Sequence, residues 1–298
     1  MLACRLAGQG HTVFAYGRRS VIAIPSQIPN YAQWDLTRGP INVPEVDAVI
    51  HCAAQVGDWG PEAGYRRVNV DGTKVVLETF AKADRFVHVS SASVYSNDQP
   101  NHDLTENASV GIGLLTAYAR TKAEAEKVVL ASRRSAVILR PHIVYGPGDT
   151  TLMPRVLAAR LLGWLPVPGD GRNRISVTHI CNFLHAIECV LATPLAHGIF
   201  NIADGEPASV DELLRTLLRQ NGVEPRLIYL PRAIAWAIAL ASERICQLTA
   251  RQHAPRVTRY LVTQIADGHT LDLSRAYQLL GYAPRYNFHH DPAGDGVM

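Results

Sequence analysis

An α/β protein built on a doubly wound parallel sheet is the fold class this sequence predicts, and three observations predict it. Short runs that are almost wholly apolar, TVFAY (12–16), DAVIHCAA (47–54), RFVHV (85–89) and SAVILRP (135–141), have the composition of strands covered on both faces. Segments with helical spacing of apolar residues lie between them. No internal repeat or low-complexity tract interrupts the alternation.

Taken in order, Leu2 to Leu6 read as the back half of a helix, Gly8 and Gly10 as its stop, and Val13 to Tyr16 as a buried strand. In a dinucleotide-binding βαβ unit such a helix follows a strand and a glycine-rich turn, which brings backbone N–H groups to the pyrophosphate. That first strand and turn are missing here, and a sheet without a central strand exposes two ladder edges. The expectation is a wrong start site or a truncated gene, with a decayed, inactive remnant as the alternative. DAVIHCAA, a helix over Val68–Ala83, RFVHVSSASVY, a helix over Tyr118–Ala131 and SAVILRP then continue the pattern.

After Tyr145–Asp149 (YGPGD) the pattern loosens, and GWLPVPGDGRNR (163–174) reads as loop. ISVTHICNFLHAIECVL (175–191) is a strand feeding a helix. In GIFNIADGEPASVDELLRTLLRQNG (198–222) Ser209 is placed to cap a helix whose first turn carries Asp211 and Glu212. The apolar AIAWAIALA (233–241) is far shorter than the roughly 20 residues of a spanning helix. It is expected to pack in the core or between domains, although Trp236 would also suit a surface facing a greasy substrate or a bilayer. The closing HHDPAGDGVM (289–298) does not continue as an amphipathic helix, in keeping with a disturbed frame; His289 and His290 read as a solvated tail.

Composition sets the outer bounds. The 298 residues, 47% hydrophobic and 18% charged, suffice for a full core and a second lobe. Net charge is +3 with the 29 basic residues spread out, so no nucleic-acid patch is expected. Five scattered cysteines without a CxxC pair suit free thiols, not a metal site or a disulfide framework. No signal peptide and no integral membrane segment is visible, so a cytoplasmic protein is expected.

The sharpest chemical signal is YARTK. Tyr118 and Lys122, at i and i+4, share a helix face, and a neighbouring cation lowers a phenol's pKa toward useful values. Upstream, VSSASVYS (89–96) breaks from apolar strand into hydroxyls at the end where open α/β sheets place ligands. Ser91 is the hydroxyl expected to donate to a substrate oxygen, the alternative being a turn that merely caps the strand.

With HCAA (51–54), VNVDGT (68–73), VSSASVY, YARTK and LRPHIVYGPGD (139–149) in this order, the chain resembles the extended short-chain dehydrogenase/reductase family. AAQVGDWGPEAGYRRVNVDGT and PRVTRYLVTQIADGHTLDLSRAYQLLGYAP are similar to its 3β-hydroxysteroid dehydrogenase-like branch. The resemblance implies a Rossmann-like domain over 1–146 and a smaller substrate lobe over 147–298, with about 175–192 packing back on the first. It implies Tyr118 as acid/base, Lys122 lowering its pKa and holding the nicotinamide ribose, and Ser91 on the substrate oxygen. Asp35 and Leu36 would meet the adenine, Ala53, Ala54 and Ser90 would line the cofactor, and Asn69 would steady the central helix. Pro141, Ile143 and Val144 would pass the nicotinamide carboxamide. A homodimer through the YARTK helix is also implied.

Arg18 and Arg19 in YGRRS, with no acid beside them, favour NADP over NAD. Ala92 and Ser93 follow Ser91 where a dehydratase of this family carries an acidic pair, so elimination is disfavoured. The expected activity is interconversion of a secondary alcohol and a ketone on a steroid-like or long-chain 3-oxo substrate. A nucleotide-sugar epimerase, for which Arg172 and Arg174 are the nearest phosphate-binding cations, and a non-catalytic NADP(H)-binding protein are the alternatives. His51, His88 and His142 read as packing residues, and Trp59 as either packing or a substrate wall.

Overall fold

The structure, a computed structural model, describes residues 1–20, 28, 30–97, 99, 101–132, 135–249 and 255–287. His289 and His290 and the tail reading fall outside these. The main sheet holds β3 (Ala48–His51), β4 (Arg85–Val89), β5 (Ala136–Pro141) and β10 (Gly198–Ile202), all parallel, in the order β10-β5-β4-β3. Alternate residues of its strands serve opposite faces. Val87, Val137 and Leu139 meet Phe183 and Ile187 of α6 (Ile180–Ala192) and Ala276 and Leu280 of α10 (Ser274–Leu280). Phe86 and Ile138 meet Val76 and Leu77 of α3 (Gly72–Thr79) and Val129 of α4 (Ala117–Ser132). That two-sided cover is why these strands read as unbroken apolar runs.

α1 (Leu2–Gly8) precedes a separate two-stranded ribbon of β1 (Ala15–Gly17) and β2 (Tyr31–Gln33), which pair parallel. β1 is shorter than the expected 13–16 strand and only half-buried, because among the described residues it has a ladder partner on one side alone. The ribbon is held to the main core by edge-on rings, with Tyr16–Trp34, Tyr16–Phe80 and Trp34–Phe80 centroids 5.8, 6.0 and 6.3 Å apart.

The helix expected over Val68–Ala83 starts earlier, as α2 (Glu62–Arg66), and runs through a π-helical turn at Arg67–Asp71 into α3. Gly72 is needed where α3 crosses the loop after β2, since a Cβ there would lie 3.2 Å from Leu36 Cβ.

From Val144 onward the chain adds short two-stranded pairs and helices, and β10 and α10 return to the main sheet. β6 (Val144–Tyr145) pairs with β9 (Thr178–His179), and α5 (Leu152–Ala158) follows β6. The stretch read as loop contains β7 (Leu165–Pro168) and β8 (Arg174–Ile175). β7 pairs parallel with β12 (Leu227–Leu230), and β8 antiparallel with β11 (Ala208–Ser209). Pro166 and Pro168 masked β7, yet a two-stranded ladder tolerates prolines whose missing N–H groups face away from the partner. α7 (Val210–Gln220) begins at Ser209 with the full capping box to Glu212. α8 (Arg232–Leu248) packs through Ala235 and Ala239 on Val262 of α9 (Arg259–Ala266). Only that narrow stripe of the expected packing helix is covered; Ile234, Ile238, Leu240, Ile245 and Leu248 are exposed. Among the described residues no helix is long and apolar enough to cross a membrane.

β5 is buried along its whole length, so Ile138→Ala leaves a cavity at the sheet centre. It should cost about 2–5 kcal/mol, read as a lowered urea midpoint with unchanged slope.

Candidate active site

The chain leaves β4 through Ser90 and Ser91 and turns at once into a 3-10 turn, Ala92–Val94. Ser91 Oγ accepts the Ser93 N–H at 3.2 Å, the capping contact of the alternative reading. It also lies near enough to the Tyr118 phenol to act on its pKa. Thr116 Oγ1 accepts the Ala119 N–H at 3.1 Å at the start of α4 and fixes Tyr118 in the first turn. Burial pushes the Tyr118 pKa up, and the Ser91 hydroxyl pulls against it.

Lys122 lies on the same face of α4 but points elsewhere. Its Nζ donates to Val89 O at 2.6 Å and stands 3.2 Å from His88 Nε2. The side chain is buried, and burial lowers its pKa to about 8, opposed by the Glu126 carboxylate. Both contacts of the ammonium are therefore with β4.

The helix face continues to Glu126, which the sequence reading passed over. Ser90 Oγ donates to Glu126 Oε1 at 2.5 Å, and Arg140 donates from Nε to Oε1 at 2.9 Å and from Nη2 to Oε2 at 2.6 Å. Arg140 also stacks on Tyr95, its Cζ 4.8 Å from the ring centroid. Ser90 thus commits its hydroxyl to α4. Two signals were present: Glu126 is one more four-residue step along the YARTK face, and Arg140 is a charge inside an otherwise apolar strand.

The expected cofactor wall divides. Ala53 is exposed and Ala54 half-buried just beyond β3. Asn69, in the π-helical turn, locks that loop to α4: Oδ1 accepts Gln55 N–H at 2.7 Å, and Nδ2 donates to Gln55 O at 3.1 Å and to Thr121 Oγ1 at 3.0 Å. Asp35 accepts the Thr37 N–H at 2.9 Å and the Thr37 hydroxyl at 2.8 Å, bonds that hold its pKa below the usual range. Leu36 instead joins the core, where it packs under α3. Arg18 and Arg19 are exposed at the end of β1 around a hollow of about 540 Å³ shared with Gly17 and Tyr31.

On the opposite side Pro141 is buried, Ile143 is half-buried with φ 41°, and Val144 is exposed. His142 between them is a satisfied packing residue, its ring nitrogens 2.7 Å from Ser176 O and 2.8 Å from Gln264 Oε1. An elongated dinucleotide fits this donor set, with guanidinium groups and open backbone at one end and an ammonium, a phenol and an apolar wall at the other.

The substrate side comes from segments distant in sequence. Burial raises the Tyr260 pKa on α9, and the Tyr118 phenol is near enough to add to the rise. Asp58, on the loop after β3, accepts from Arg155 Nη2 at 2.6 Å and from Thr258 Oγ1 at 2.9 Å. Trp59 beside it is half-buried, its carbonyl taking the Tyr65 hydroxyl at 2.8 Å. Arg172 and Arg174 border a separate surface hollow with Asp170, Asp211, Glu212 and Tyr229.

A doubly wound sheet with polar side chains gathered outside the C-terminal ends of its strands is the frame of a dinucleotide-dependent enzyme. The chain belongs to the NAD dependent epimerase/dehydratase family, whose model matches residues 1–203. It is an oxidoreductase that depends on a nicotinamide cofactor. The 2-alkyl-3-oxoalkanoate reductase of Stenotrophomonas maltophilia is 32% identical, over 95% of this chain and 90% of that protein. The decarboxylating sterol-4-alpha-carboxylate 3-dehydrogenase of Saccharomyces cerevisiae is 29% identical, over 82% of this chain and 74% of that protein. The structure of MoeE5 in complex with UDP-glucose and NAD superposes with a TM-score of 0.71 at 25% identity, over 96% of this chain and 89% of that one.

Glu126→Ala strands the buried Arg140 guanidinium without its counter-charge. Stability should fall by about 3–5 kcal/mol, measured by equilibrium urea unfolding; a loss under 1 kcal/mol would mean that water already screens the pair.

Proposed function

We propose that this protein interconverts a secondary alcohol and a ketone on a hydrophobic 3-oxo substrate, using NADP(H), with Ser91, Tyr118 and Lys122 as the working residues. The observation that carries the reading is the pairing of Ser91, in the turn just beyond β4, with the buried Tyr118 phenol, whose pKa burial raises and the Ser91 hydroxyl pulls down. It places a hydroxyl donor and a protonated phenol side by side where a carbonyl oxygen can meet both. A bound nicotinamide would supply or accept the hydride. Ser91 donates to the substrate oxygen, and Tyr118 gives that oxygen its proton in reduction and takes it in oxidation. Lys122, charged below about pH 8, holds the ribose hydroxyls.

The substrate class draws on the two relatives named for 3-oxoalkanoates and a sterol 3-dehydrogenation. Tyr260 offers ring surface within electrostatic reach of the phenol. The UDP-glucose bound by MoeE5 motivates the epimerase alternative. Against it, Arg172 and Arg174 share their hollow with three carboxylates, which would repel a diphosphate.

Tyr118→Phe should lower kcat by about 10²–10⁴-fold with circular dichroism unchanged. Assays with a 2-alkyl-3-oxoalkanoate, a 3β-hydroxysterol and UDP-glucose separate the readings, and epimerisation of UDP-glucose with no net cofactor turnover would overturn this one. For the cofactor, Arg18→Ala should weaken NADPH by roughly tenfold in a fluorescence titration and leave NADH within twofold. Equal weakening of both would remove Arg18 from the 2′-phosphate.

A further inference from the structure

His88 is a polar residue at a position that packing alone would fill with an apolar one. It lies on β4, between β3 and β5, and is buried on both faces of the sheet. Its Nδ1 has no hydrogen-bond partner among the described residues. A buried polar group left unpaired costs free energy, so a leucine would sit here more cheaply unless the other ring nitrogen is put to use.

That nitrogen, Nε2, faces Lys122 Nζ at 3.2 Å. An ammonium has donors and no lone pair, so the bond runs one way: Lys122 donates, Nε2 accepts, and the His88 proton sits on Nδ1. The same ammonium donates to Val89 O at 2.6 Å, so β4 offers it two acceptors side by side. The other groups facing this pair are His51 of β3, Cys52 just after it, and Glu126 of α4, the last tied to Arg140 of β5. The His51 and His88 rings lie 5.4 Å apart, and burial with the nearby ammonium keeps both imidazoles neutral.

We propose that His88 is a positioning residue for Lys122: its Nε2 lone pair, together with the Val89 carbonyl, holds the buried ammonium in place against β4. The value of this for the enzyme rests on the role given to Lys122 above. The contact itself does not. Without the imidazole, burial acts on Lys122 with one acceptor fewer, and the charged form is lost at lower pH.

The chain has four lysines, Lys74, Lys82, Lys122 and Lys127, so the ε positions are resolvable in a lysine-labelled NMR sample of the unliganded protein, with Lys122→Met giving the assignment. Lys122 should titrate near pH 8 in the parent chain. In His88→Leu its midpoint should fall by about one pH unit. His88→Gln, whose Oε1 can reach the place of Nε2, should restore it. A long-range proton–nitrogen spectrum of the parent should show Nε2 unprotonated and Nδ1 protonated. An unchanged midpoint in His88→Leu, equal falls in the leucine and glutamine variants, or a proton on Nε2 would each overturn the proposal. Should the leucine variant not fold, the parent tautomer decides. None of these readouts uses turnover, so an active Tyr118→Phe would sink the proton-transfer role proposed for Tyr118 and leave this one intact.

Discussion

The Glu126 carboxylate is the constraint on which the site depends. It is buried in the centre of the molecule, and it is bonded to the hydroxyl of Ser90 at the end of β4 and to both donor edges of Arg140 on β5. One side chain of α4 is thereby pinned to two neighbouring strands at the height where they end. Because side chains four residues apart stack along a helix, fixing Glu126 also fixes how far Lys122 and Tyr118 stand above the sheet. A buried pair of this kind adds little net stability compared with apolar residues of the same shape. Its contribution is location: it selects one rotation and one height for α4 out of several that apolar packing would accept.

That placement has an electrostatic consequence. Tyr118 is kept protonated by burial, and its neighbour is a neutral hydroxyl. Lys122, the cation that could draw off its proton, is engaged with β4 instead. Under the proposed function this arrangement is ready to donate a proton, which is the requirement for reducing a ketone. Oxidising an alcohol needs the phenol to accept a proton, and that becomes favourable only when the ammonium moves closer or pH rises. The same three residues can therefore serve both directions while the resting geometry favours one.

Local pattern made the frame legible, and non-local pairing hid the rest. VSSASVY and YARTK could be placed because a strand end and an i, i+4 helix pair are set by nearest neighbours in the chain. Asn69 could be assigned to the central helix for a related reason, although its bond to Thr121 and its grip on the Gln55 backbone follow from a π-helical turn that apolar spacing does not reveal. β7 was hidden because two prolines in four residues look like loop, and only the pairing with β12 makes them a strand. The shortness of β1 depends on what lies beside it, which no window of sequence contains. The direction of Lys122 was illegible for a physical reason: a buried ammonium goes to the nearest lone pairs, and those belong to β4, more than thirty residues upstream.

The substrate side obeys a different rule from the chemical side. Ser91, Tyr118 and Lys122 sit on β4 and α4, elements whose positions are set by the core. The groups that face them come from the loop after β3, the start of α5's neighbourhood and α9, joined by polar contacts around Asp58. Loops and lobe helices can change side chains without disturbing the sheet. A family built this way can keep one proton-transfer geometry while its members differ in what they accept, which is why a reductase of 3-oxoalkanoates and a sterol dehydrogenase can both align along most of this chain. Specificity should therefore be sought first at Tyr260 and the Asp58 cluster that joins the loop after β3 to α5 and the start of α9, and not among the residues that hold the phenol in place.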